Sequence, residues 1–158
     1  MAASERITLI TEQLLTILAA DLGTTDLSAT GRVARGRWVV PSTIPFLAIA
    51  LDGIGTNETD PPMGRFVRAA VFRFEGWNTT PTATPAGAMV SDATMASEVF
   101  SAVESAHRDA AGSLKSASFM IRNLYFDDYR QHDVEIEGHP FAHWTAKLVV
   151  VYHVDRGL

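Results

Sequence analysis

The final stretch of the chain alternates so regularly that it admits one local structure. From His143 to Val154, Trp144, Ala146, Leu148, Val150 and Tyr152 fall on one side of an extended strand, with Thr145, Lys147, Val149, Val151 and His153 on the other. A strand that long, with so bulky a face, needs a sheet to lie in and a second layer to bury against. The rest of the chain supplies both. Ile7, Ile10, Leu14, Ile17, Leu18 and Leu22 recur at steps of three and four, which predicts a helix over 4–22 capped by Ser4 and closed by Gly23. Ala96, Val99, Phe100, Val103, Ala106 and Ala110 repeat that spacing and predict a second helix over 92–111, started by Ser91 or Asp92 and stopped by Gly112, with Glu98, Glu104 and Arg108 turned mostly to water.

Between and after the helices the texture is that of strands. Arg37–Val40, Ile44–Leu51 and Phe66–Trp77 precede the second helix, and 44–51 and 66–77 are natural antiparallel neighbours. Ala117–Tyr125, Asp133–Glu137 and His143–Val154 follow it, the last two joined by a turn at Gly138-His139-Pro140. The expected fold is α+β: a mixed, mainly antiparallel sheet with two helices packed on it, in the order helix, strands, helix, strands. At 158 residues this is a single domain, long enough to bury a core without staples, which suits a chain with no cysteine. Thiolate metal sites, thiol nucleophiles and disulfide frameworks are excluded outright. Two stretches, 52–64 and 78–90, read as long loops from their Gly, Pro, Thr and Asn content.

A formal charge of −5 argues against a protein that holds nucleic acid by neutralising phosphates. Charge is unevenly placed. Arg32, Arg35, Arg37, Arg65, Arg68 and Arg73 make the first half basic, whereas Asp127, Asp128, Asp133, Glu135 and Glu137 crowd around Arg130 alone. If the two segments lie apart, they make a basic and an acidic pole; the alternative is two solvated faces. The longest apolar run, Ile44–Leu51, is too short to span a bilayer, and the N-terminal stretch is interrupted by Glu12 and Gln13, so a non-secreted protein with no membrane partner is expected.

No set of residues reads as catalytic, metal-binding or cofactor-binding. Gly53-Ile54-Gly55 follows a strand, but Asp60-Pro61-Pro62 stands where a phosphate loop needs a helix start. His139 and His143 are spaced like metal ligands on a helix, yet Pro140 sets them on a turn into a strand. His132-Asp133 and His107-Arg108-Asp109 lack a nucleophile or oxyanion loop and read as surface histidines. Asp127-Asp128 reads as a solvated turn. Phe66, Phe72, Phe74, Trp77, Trp144 and Tyr152 suit a core better than a pocket lining.

The Ile-x-x-Leu-x-x-x-Leu helix, the proline-led strand Pro45–Leu51, the arginine-bearing strand Phe66–Glu75, the helix around Val99–Ala106 and the closing strand Trp144–Tyr152 together resemble, in order and texture, the tail terminators of long-tailed phages, the minor tail protein U group. The resemblance covers most of the chain and implies a non-enzymatic virion protein that forms a ring, usually a hexamer. Such a ring caps the tail tube, stops its polymerisation and meets a connector or neck protein, with DNA as passing cargo. On that footing the candidate subunit interface is Arg68 and Arg73 against Asp127, Asp128, Asp133 and Glu135, and the candidate tube-contact loops carry Asp52, Asn57 and Glu58, and Asn78, Thr80 and Thr84. The competing expectations are a head-completion or neck protein, and a cone-shaped α+β ligand-binding or cyclase-like domain using Asp128, His132 and His143.

Overall fold

The computed structural model describes residues 3–36, 41–56, 65–79, 85–109, 112–114, 121–136 and 139–155. They form α1 (Ala3–Leu18), β1 (Val33–Arg35), β2 (Phe46–Thr56), β3 (Arg65–Asn78), α2 (Pro85–Arg108), β4 (Ile121–Ile136) and β5 (His139–Asp155). The strands make one five-stranded sheet in the order β1-β2-β3-β5-β4. Only β1 with β2 is parallel; the other pairs are antiparallel, and both helices pack on the same face. This is the expected α+β architecture.

The core follows from the periodicities. Ile7, Ile10, Leu14 and Leu18 of α1 and Met95, Val99 and Val103 of α2 are buried against Leu47, Ile49, Phe72, Phe74, Trp144, Leu148 and Tyr152 of the sheet. Burial of side chains of this size, each worth about 1.5–3 kcal/mol, is the main stabilising term. The face of β5 anticipated to be apolar is the one under the helices. Of the six aromatic residues expected in the core, the five whose side chains are described lie there: Phe72, Phe74, Trp144 and Tyr152 in the main cluster, and Trp77 with Phe46 and Ala48 in a small cluster on the opposite face. At the edge of the main core the guanidinium of Arg6, itself buried, donates to the carbonyl of His153.

Element boundaries depart from the sequence reading through local turn bonds after α1 and through pairing with distant segments elsewhere. Helix α1 ends at Leu18 rather than 22, because Leu27 N donates to Ala20 O and Leu22 N to Thr25 O, folding 20–27 into a tight turn with Gly23 at φ 127°. Strand β2 does not stop at Leu51. It continues to Thr56 after a bulge between Leu51 and Gly53, held by pairing to Arg68–Val71, so the first half of the expected 52–64 loop is strand, including Gly53-Ile54-Gly55. The second expected loop shrinks from both ends: Asn78 closes β3, and α2 begins at Pro85, which needs no N–H partner there. Of the expected strands 117–125 and 133–137, the described residues 121–125 and 133–136 are parts of one strand, β4, and Asp127-Asp128 is a bulge within it rather than a turn; 117–120 and 137 lie outside the described residues. The expected strand 37–40 lies outside the described residues.

The turn after α1 is fastened by a side chain that the sequence pattern assigns to solvent. The carboxylate of Glu98 on α2 accepts from Thr24 N at 2.8 Å, Thr24 Oγ1 at 2.7 Å and Thr25 N at 2.9 Å. Burial alone would raise its pKa, but these bonds outweigh burial and hold it below the usual carboxylate value. Glu98→Gln keeps an amide oxygen for the two Thr24 bonds but loses the charge and the Thr25 bond, and at a site open to solvent it is expected to cost about 1 kcal/mol at neutral pH. Because the folded pKa is depressed, that contribution is full above the ordinary carboxylate pKa and is lost as pH falls through the folded value. Urea denaturation at pH 7 and in mild acid measures both, and an unchanged midpoint at pH 7 would contradict the assignment.

Candidate functional site

With both helices on one face, no helix covers the opposite face of the sheet among the described residues. Strand alternation fixes what it carries. From β3 come Val67, Ala69, Val71, Arg73, Glu75 and Trp77; from β5 His143, Thr145, Lys147, Val149 and Val151; from β4 Tyr125, Asp127, Arg130 and His132. Its polar half forms a shallow concavity of about 260 Å³, lined by Arg73, Asp128, Arg130, His132, Thr145, Ala146 and Lys147.

The β4 bulge builds this concavity. Asp128 sits at φ 53°, in the left-handed region where a non-glycine residue is uncommon, and its carboxylate turns back to Arg130 Nε at 2.8 Å and to Lys147 Nζ at 3.6 Å. The hydrogen bond from Arg130 lowers its pKa, with the charges of Arg130 and Lys147 acting the same way and burial opposing them. Arg73 is held by Glu75, its neighbour two residues along the strand, at 3.2 Å. The cations of the site are thus tied to carboxylates of the same face.

Beside the concavity, His143 stacks on Trp77 with ring centroids 3.8 Å apart and planes 16° apart, and the His132 ring lies 5.2 Å away. His132 Nε2 bonds Thr145 Oγ1 at 2.8 Å. Burial, reinforced by the nearby His132 and Arg73, pushes the His143 pKa down to about 4. A protonated His143 would have Glu75 at 4.0 Å, but Glu75 already serves Arg73 and the balance favours the neutral ring. Both ring nitrogens are buried without a hydrogen-bond partner among the described residues.

The sequence candidates are distributed as follows. Arg73 and Asp128 line the same concavity, and Asp127 takes an adjacent place opposite Lys147, so basic and acidic segments meet here rather than standing at separate poles. Arg68 is on the other face, level with Tyr152 and under the helices. Asp133 and Glu135 lie farther along β4, opposite Ala142 and Pro140. Asp52 is exposed in the β2 bulge. Asn78 is not on a projecting loop: its amide donates to Ser91 O at 3.3 Å and ties β3 to α2. Asn57, Glu58, Thr80 and Thr84 lie outside the described residues. Asp128, His132 and His143, the group of the ligand-binding alternative, do share one face. Sequence reasoning missed Arg73, Thr145 and Lys147 as their companions, and only the β3–β5 register, Arg73 opposite Lys147, would have found them.

Among the described residues no three His, Asp or Glu side chains gather as a metal would need, and no helix is long and apolar enough to cross a membrane. Scanned against models of known protein families and against the curated proteins, the chain matches none.

Proposed function

We propose that this chain is a structural assembly protein of the tail-terminator kind: a subunit of a closed, hexameric ring that caps a phage tail tube, stops its growth and presents a surface to the connector or neck. The observation that carries the reading is the division of labour across the sheet. One face carries two helices and the main core, while among the described residues no helix packs on the other face and no further strand pairs with the outer side of β1 or β4, an arrangement that suits a ring subunit. The pairing of Arg73, Arg130 and Lys147 with carboxylates on that other face, and the chain's charge of −5, suit a passage through which DNA slides without being held. In this reading the chain has no catalytic role, binds no cofactor and belongs to the virion at the head-proximal end of the tail. The order of helices and strands supports the resemblance on which it rests; a neck protein built on the same plan is the nearest variant.

Light scattering tests it. The expected result is a discrete ring, or a monomer that becomes one when tail-tube protein is added; a concentration-independent monomer or dimer indifferent to tube protein would overturn it. One observation favours a second reading, a small-ligand domain: the concavity beside a histidine of lowered pKa. Under that reading, inorganic phosphate used as a probe binds measurably by calorimetry and Arg130→Ala or Lys147→Ala abolishes it. Under the assembly reading wild-type protein shows no such heat.

A further inference from the structure

The buried imidazole of His143 and the cations of the concavity are joined through one carboxylate. Glu75 on β3, itself buried, has Oε1 at 3.2 Å from Nε of Arg73, which lines the concavity, and Oε2 at 4.0 Å from Nε2 of His143. Neither contact is a hydrogen bond. Arg73 Nε is buried with no hydrogen-bond partner among the described residues, and so are both nitrogens of His143. Glu75 therefore stands between two groups that can each take a stronger hold on it than they have.

The concavity has donors beyond those its ion pairs use. Asp128 engages Arg130 Nε and Lys147 Nζ, but a guanidinium carries five N–H donors and an ammonium three. With Arg73, three cations line one hollow of about 260 Å³, next to the hydroxyl of Thr145. The ligand class that suits it is a small tetrahedral oxyanion of the phosphate type, free or esterified. A long polyanion suits it less, because exposed Asp127 stands beside Lys147 and would face the further phosphates.

We infer that an oxyanion bound in the concavity and a proton on His143 stabilise each other, with Glu75 as the link; this rests on the small-ligand reading given second above. An oxyanion draws the guanidinium of Arg73 toward itself and away from Glu75. The carboxylate is left to His143, where its charge favours the protonated ring. In the other direction, a proton on His143 places an N–H donor opposite Oε2, loosens Glu75 from Arg73 and leaves a cation for the anion. Without a ligand the ring is neutral, its pKa pushed down to about 4 by burial, then by His132 and Arg73. Arg73 is thus one of the groups that keep the proton off, and an anion that neutralises it acts in the same sense as the freed carboxylate. Arg73 and Glu75 from β3 and His132 from β4 are the charged and titratable groups that face the ring among the described residues. The coupling is reciprocal: a rise of about one unit in the ring's pKa corresponds to about tenfold tighter anion binding by the protonated form.

Imidazole resonances followed by NMR from pH 7 to pH 4, in chloride or in sulfate at equal ionic strength, test the link. Sulfate keeps its charge over that range, so a change in its effect reports on the protein. His143→Phe identifies the signal, and near-ultraviolet circular dichroism confirms the fold at each pH. The expected result is a His143 that titrates near pH 4 in chloride and about one unit higher in sulfate. The double variant Arg130→Ala, Lys147→Ala should lose the rise, and an equal rise in it would overturn the site. Glu75→Gln should lose the rise while sulfate still moves the signals of Arg130 and Lys147; a full rise without the carboxylate would overturn its role as the link. A wild-type His143 indifferent to sulfate, in a protein whose Arg130 and Lys147 signals respond, would reject the coupling and leave the ligand reading standing. No response of those signals at any pH would remove that reading itself. Glycerol phosphate run beside inorganic phosphate tells an esterified ligand from the free ion by which raises the pKa further. Should the fold be lost before pH 4, urea midpoints read the same coupling: sulfate should raise the wild-type midpoint more at pH 5 than at pH 7, and the double variant's equally at both.

Discussion

Gly76→Ala is expected to be among the most damaging additions of a single methyl group to this protein. Gly76 lies on the helix side of β3, directly across from Trp144 on β5, and the indole lies flat over it. An added Cβ would stand 2.1 Å from Trp144 Nε1 and 2.2 Å from Cε2. The indole has no room to retreat, being fully buried with the rings of Phe100 at 5.8 Å and Tyr129 at 6.1 Å. Overpacking a tight core costs about 1–3 kcal/mol and sometimes more, and a clash this deep with a rigid ring belongs at the upper end, about 3 kcal/mol. The urea midpoint should fall accordingly. Adding Trp144→Leu should make the double variant less destabilised than the two single effects together, since the smaller side chain vacates the disputed space. A Gly76→Ala protein with a wild-type midpoint would show that the sheet yields there at little cost.

The second large effect is a loss of stability in mild acid that passes through one imidazole. His143 is neutral in the fold, its pKa lowered from the usual 6.5 to about 4 by burial first and then by His132 and Arg73. The unfolded chain therefore takes up a proton at a higher pH than the folded one. Stability from this group is full above pH 6.5 and drains away as pH falls toward 4. Each pH unit between the folded and unfolded values is worth about 1.4 kcal/mol, which sets a ceiling of about 3 kcal/mol, and screening by the solvent that reaches the ring brings the expected loss nearer to about 2 kcal/mol. Arg73 and Glu75 from β3 and His132 from β4 are the charged and titratable groups that face it. His143→Phe keeps a ring against Trp77 and removes the proton. Its stability, followed by urea denaturation from pH 7 to pH 4, should lose most of the wild-type slope over that interval. An equal slope in both proteins would move the cause to another group.

Periodic features were legible in the residues themselves. The stripe Ile7, Ile10, Leu14 and Leu18 needs only a helix to become a face, and the alternation of β5 needs only extension, so both elements and their buried sides follow from local pattern. The antiparallel pairing of β2 with β3 was likewise readable, because both are apolar runs joined directly. Extensions and joints were not. Asp52–Thr56 has the composition of a loop and becomes strand because β3 supplies a ladder along it. The stretch before Ser91 looks irregular because Gly87 and Pro85 interrupt its pattern, yet Asn78 and Ser91 fasten the helix to the end of β3. The two ends of β4 read as separate strands with a turn at Asp127-Asp128 because the bulge breaks the alternation between them. Glu98 was hidden for a related reason: its partners Thr24 and Thr25 lie more than 70 residues away, and a glutamate on a helix flank carries no mark of that bond. Asp128, His132 and His143 could be named as a group, but their nearness to Arg73 depends on a register that spacing does not encode.

The position of β5 in the sheet also sets a timetable. It is the last of the described elements in the chain, yet it lies between β3 and β4 and pairs with both along most of its length. As the polypeptide leaves the ribosome, β2 and β3 can meet as neighbours in sequence, but β3 must hold Phe72 and Phe74 without their β5 partners, and β4 has no strand to join, until the residues up to Asp155 have emerged. Ladders between such distant segments close slowly, because loop entropy is lost before the contacts repay it. The domain should therefore complete its fold only after β5 is free of the exit tunnel, and a nascent chain stalled before Leu148 should remain sensitive to protease and attractive to chaperones.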